Sequence, residues 1–127
     1  MRDFRRIRAW ERAHALAMAL HRLARHFGHT GHAHLRSQLT RAGDSIAANI
    51  VEGCGAESNK DLARFLEMSV KSANEAEYHL LSARDLSLIS PKEWQTHTAE
   101  TVAVRKMVYV YRRKVLSSSR DPHSADD

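Results

Sequence analysis

Nine histidines, one cysteine and two clusters of arginine and lysine are the residues of this 127-residue chain best equipped for chemistry. His26, His29, His32 and His34 crowd one short stretch, and imidazole is a good ligand for zinc, nickel or copper. No cysteine or carboxylate lies within that run to complete a coordination sphere, so solvated loop histidines are expected there. Glu11 and His14 make one Glu-x-x-His pair, whereas a di-iron bundle needs two such pairs and two further glutamates. Glu75 and His79 stand four apart and do not supply the second pair. Cys54 lies between Gly53 and Gly55 near a helix end, where the helix dipole raises a thiol pKa. No Gly-Lys-Ser/Thr follows those glycines, so they read as a turn and not as a phosphate loop. No catalytic residue, cofactor site or metal site is expected.

The basic residues carry more. Residues 1–26 hold seven arginines (Arg2, Arg5, Arg6, Arg8, Arg12, Arg22 and Arg25) against Asp3 and Glu11. Residues 105–120 hold Arg105, Lys106, Arg112, Arg113, Lys114 and Arg120 and no acid. Between these segments acids outnumber bases, so the formal charge of +5 is concentrated at the two ends of the sequence. If the first and last helices run antiparallel, the clusters converge. The expected patch comprises Arg2, Arg5, Arg6, Arg8, Arg12, Arg105, Lys106, Arg112, Arg113 and Lys114. Such a patch attracts phosphates, and the counterions it releases make binding depend on salt. Arginine adds a planar fork that makes two hydrogen bonds to one phosphate. No spacing resembles a recognition helix or an RNA-recognition motif, so the backbone of RNA or DNA is the expected contact, not base edges.

The elements that position these residues are legible from periodicity. At 14.4 kDa the chain fits one domain. Five glycines and two prolines are too few for a β-rich fold or a disordered chain, and a single cysteine excludes a disulfide framework. No run approaches 18 apolar residues, so no transmembrane helix is expected. The basic Met1 to Arg8 stretch lacks a following apolar run and does not read as a signal peptide, which makes the cytoplasm the expected compartment.

Four helical segments follow. The first covers about residues 7–27 on the stripe Trp10, Ala13, Ala17, Leu20, Ala24 and Phe27, and closes at Gly28. The second covers about 33–52 on Leu35, Leu39, Ala42, Ile46 and Ile50, and ends at Gly53 and Gly55. The third covers about 59–86, with Ser58 as N-cap and a small-residue middle of Ser69, Ala73 and Ala76 that invites close approach. The fourth opens with Ser90, Pro91 and Glu93 and runs on Trp94, Thr98, Thr101, Val104, Val108, Tyr111 and Val115. The expected fold is all-α, an antiparallel up-down-up-down four-helix bundle over 1–117 with a disordered polar tail at 118–127. Asn49 and Glu52, beside the second helix's apolar seam, are expected to cap the turn or pair with Arg64.

Residues 41–53 read Arg-Ala-Gly-Asp-Ser-Ile-Ala-Ala-Asn-Ile-Val-Glu-Gly. This block resembles the signature of the 23S ribosomal RNA intervening-sequence proteins at Arg41, Ala42, Ser45, Ile46, Asn49, Ile50, Glu52 and Gly53. The run Ser58 to Leu66, with Arg64 inside it, is similar to the family's next block. Trp10, Ala13 and His14 upstream, and Ser72 and Glu75 downstream, extend the resemblance over roughly 4–116. The resemblance implies a small bacterial cytosolic protein that assembles as a ring-shaped homopentamer of four-helix bundles. It implies no catalytic residues, and in a related branch that serves diversity-generating retroelements it implies nucleic-acid and reverse-transcriptase binding. Gly28 stands where the family often has proline, and Ala56 where it often has arginine. Two readings of function compete: a homopentamer that binds RNA or DNA through the basic patch, and an oligomeric scaffold or adaptor for a protein partner.

Overall fold

The structure is a computed structural model that describes residues 2–118. Four helices, α1 (Arg8–Ala24), α2 (Ala33–Cys54), α3 (Asn59–Asp85) and α4 (Pro91–Ser117), make up almost all of it, with short 3₁₀ turns at Phe4–Arg6 and Phe27–Thr30. No strand occurs among the described residues. Ser118 caps α4, and the rest of the expected tail lies outside the described residues.

Helices α3 and α4 begin where a side chain supplies a partner for the free backbone amides. The Ser58 hydroxyl accepts from the Asp61 amide at 3.1 Å to open α3. A full capping box opens α4: Ser90 Oγ accepts from the Glu93 amide at 3.0 Å, and Glu93 Oε1 accepts from the Ser90 amide at 2.8 Å. Pro91 occupies the first helical position, where a missing N–H costs nothing.

One expectation about glycine is corrected and another gains a second role. The first helix does not close at Gly28: α1 stops at Ala24, and a 3₁₀ turn follows that ends at Gly31 with φ of 85°. That left-handed conformation is the one glycine adopts without a Cβ penalty. The expected end of α2 at Gly53 and Gly55 is where it falls, with Cys54 last and Gly55 as C-cap, and Gly53 in that last turn is also buried against α3. A Cβ there would stand 2.6 Å from Leu62 Cδ1 and 3.1 Å from Phe65 Cβ, so only glycine lets the two helices meet this closely.

The expected stripes face one continuous core. Leu20, Leu39, Ile46, Ile50, Leu62, Leu66, Leu80, Val104 and Val108 are fully buried. The small middle of α3 works as anticipated, with Ser69, Ala73 and Ala76 shut off from solvent and Ser69 Oγ donating to the Ile46 carbonyl at 2.8 Å. Helices adjacent in sequence pack on each other, and α1 also meets α4, in the sparsest of the four seams. That sparse seam leaves a groove on the surface.

Candidate nucleic-acid interface

A clasp ties the N-terminal segment that leads into α1 to the ends of the other three helices. The Arg2 amide donates to the Cys54 carbonyl at 3.0 Å, at the end of α2. The buried Arg2 guanidinium donates to Asn59 Oδ1 at 2.9 Å, at the start of α3, and Asn59 Nδ2 donates to the Ser118 carbonyl at 2.8 Å, at the end of α4. Asp3 caps the first 3₁₀ turn, and its carboxyl is held below its usual pKa range by hydrogen bonds from Arg5. The turn sets Phe4 edge-on to Trp10, with ring centroids 4.8 Å apart, and Trp10 stacks on His14. The chain thus enters α1 with Arg8 beside α4.

Arg8 and Ala9 of α1 and Lys106, Met107, Val110, Tyr111 and Lys114 of α4 line the groove, which encloses about 310 Å³. Lys106, Val110 and Lys114 are four apart and share one face of the helix. Among the described residues no acid lines the groove. Three cations over an apolar floor are positioned to hold phosphate oxygens.

The other expected patch residues divide sharply. Arg6 and Arg113 are exposed, and Arg113 lies over the Tyr109 ring at 6.0 Å. Arg5 is exposed but paired with Asp3 at 3.1 Å. Arg12 forks onto Glu100, at 2.9 Å through Nε and 2.7 Å through Nη2, which holds the guanidinium pKa above its ordinary value. Arg105 pairs with Glu77 and donates to Asn74 at 2.9 Å. Arg112 donates to the Ala63 carbonyl at 3.0 Å and faces Glu67 at 3.7 Å. Arg2 is buried in the clasp. Arg12, Arg105 and Arg112 therefore tie helices together, and the groove itself gathers Arg8, Lys106 and Lys114.

The residues of the family-like block sit on the opposite seam, between α2 and α3. Gln38, Arg41, Ala42, Ser45, Glu75 and His79 line a polar cleft of about 470 Å³ there. Ser45 Oγ and Ser72 Oγ share a hydrogen bond at 2.8 Å, and Asn49 Nδ2 donates to Ser45 Oγ at 3.0 Å. Asn49 therefore bonds within its own helix. The expected pairing of Glu52 with Arg64 does not form: Arg64 lies over the Phe65 ring and faces Asp61 at 4.0 Å, while Glu52 points to solvent. Burial pushes the His79 pKa down, with Glu75 opposing that shift and His34 adding to it.

The clustered histidines do not converge. His26 faces the Leu88 carbonyl at 3.0 Å, His21 faces Asp44 at 2.9 Å, and His29 and His34 are exposed. Among the described residues no three of His, Cys, Asp and Glu stand together as a metal ion would require. No described helix is long and apolar enough to cross a membrane. Sequence reasoning missed Met107 and Val110 in the groove and Tyr109 beside it. The available signal was that α4 carries apolar residues outside its core stripe.

The family model of 23S rRNA-intervening sequence proteins matches residues 5–110. Among solved structures, the chain is similar to a protein of unknown function of the S23 ribosomal protein family from Bacteroides thetaiotaomicron. That likeness has a TM-score of 0.78 at 23% identity and covers 83% of this chain and 95% of that one. No curated protein matches the chain.

Proposed function

We propose, for a chain that belongs to the 23S rRNA-intervening sequence protein family, a non-catalytic cytoplasmic role: binding the backbone of RNA or DNA as a ring-shaped homopentamer. The observation that carries this reading is the α1–α4 groove, where Arg8, Lys106 and Lys114 line one apolar-floored cleft. An antiparallel up-down-up-down bundle brings these cations together. Opposed registers support it: Gly53 lies against Leu62 while Ser45 reaches Ser72, and Arg112 faces Glu67 while Arg84 covers Trp94. A pentameric ring needs two different faces of each protomer to meet, and it would repeat the groove five times around one axis. Repetition multiplies a weak phosphate contact into avid binding along a strand.

The test is charge reversal. Arg8→Glu, Lys106→Glu and Lys114→Glu combined should abolish nucleic-acid binding in a fluorescence-anisotropy titration. Arg12→Gln, which breaks an internal pair, should leave it nearly intact. Equal affinity of the triple variant and the wild type would sink the reading.

A further inference from the structure

Helix α4 carries a second apolar row that the core does not use. Tyr109 and Val110 are 50% and 59% exposed, and Tyr78, across the seam on α3, is 63% exposed. A cleft of about 450 Å³ separates α3 from α4 at this level, lined by Val70, Asn74, Arg105, Lys106, Tyr109 and Val110. Lys106 and Val110 line both this cleft and the α1–α4 groove, so the two form one surface on either side of a single ridge. The surface continues past Asn74 to Tyr78, which lines the next cleft with Glu77 and Trp94.

Charge sets the kind of partner. Lys106 is exposed on the ridge, and the Arg113 guanidinium lies over the Tyr109 ring. Glu77, which lines the cleft beside Tyr78, is matched by Arg105. A second copy docking this face on itself would set lysine and arginine against their own kind. An anionic partner with flat apolar faces is matched in both respects, because every nucleobase offers a π-face to an aromatic ring while its backbone supplies the charge.

Geometry narrows it further. Tyr78 and Tyr109 each lie one helical turn, about 6 Å, to opposite sides of the Asn74–Arg105 hydrogen bond. One base cannot reach both rings, so each takes its own. Bases inside a duplex are already stacked and unable to pair with either. We infer that the α3–α4 face takes single-stranded nucleic acid, with bases stacked on Tyr109 and Tyr78 and phosphates held by Lys106, Arg113 and the adjoining α1–α4 groove. The inference rests on the reading of that groove as a phosphate site.

The experiment titrates full-length protein against three labelled probes: a mixed-sequence single strand, the duplex of the same sequence, and an abasic strand of equal length. Wild type should bind the single strand most tightly. Tyr78→Ala combined with Tyr109→Ala should weaken single-strand binding by about tenfold or more, leaving duplex and abasic affinities unchanged. Tyr78→Phe with Tyr109→Phe, which keep the rings, should restore it. Single-strand affinity that ignores the tyrosines yet falls on Arg8→Glu and Lys106→Glu would overturn the stacking and leave the groove reading standing. No binding to any probe would overturn both. Loss of self-association in sedimentation velocity on tyrosine removal, with affinities unchanged, would assign this face to contacts between copies and overturn the inference.

Discussion

Gly53 concentrates the packing problem of this molecule into one atom. The missing Cβ is what lets α2 close on Leu62 and Phe65, and Leu62 is fully buried and has nowhere to go. Gly53→Ala should therefore destabilise the fold by about 1–3 kcal/mol, the usual cost of overpacking, read as a lower urea midpoint at unchanged slope. Two histidines give stability a pH dependence. Burial lowers the pKa of His79 on α3 and of His97 on α4; Glu75 and Glu93 oppose the shifts and His34 and Arg22 reinforce them. The folded protein then binds these protons less readily than the unfolded chain. Above a pH of about 6.5 both states are neutral at these sites and nothing is gained or lost. As pH falls below that value the unfolded chain takes up protons first, so stability declines until the folded pKa values are passed. Urea midpoints measured across this range should show the decline, and His79→Gln should flatten it. An unchanged slope in that variant would mean His79 is not a source of it.

At the level of elements, the helices were the most legible part, because each is marked by a stripe, and α3 and α4 also by a cap. Ser90, Pro91 and Glu93 announce the start of α4 and form the full capping box. Ser90→Ala should cost about 1 kcal/mol, seen as a lower melting temperature with α4 fraying first in hydrogen exchange. The end of α1 and the packing of Gly53 against α3 were not legible. Glycine can terminate a helix or admit a neighbouring one, and only the partner helix decides which. The basic clusters show the same limit. Their convergence followed from helix direction alone, but their division into cations paired across helices and cations lining the groove did not. Arg12 reaches Glu100, Arg105 reaches Glu77 and Arg112 reaches Glu67 only in the registers set by the packed helices. A sequence reading pools all of them into one patch. The polar residues of the α2 block were visible too, but their partners within the helix and across to Ser72 depend on the same register.

Over the whole molecule, the charge of +5 is not spread evenly, and the structure sorts it by use. Arginines at the helix seams are matched by glutamates and hold the bundle together. Arg8, Lys106 and Lys114 instead gather in the α1–α4 groove, beside an exposed aromatic ridge on α4. The polar α2–α3 cleft, which holds Arg41, Ser45 and Glu75 of the family-like blocks, lies on the far side and is not part of this surface. The account therefore predicts that Arg41→Ala leaves nucleic-acid affinity unchanged, whereas Lys106→Glu weakens it. The most direct measurement is the salt dependence of binding. Anisotropy titrations at several salt concentrations, with wild type and with Lys106→Glu, give the slope of log affinity against log salt. The account predicts a steep negative slope for the wild type, shallower by about one unit in the variant for each phosphate contact removed. A wild-type slope near zero, or the same slope in both proteins, would contradict it.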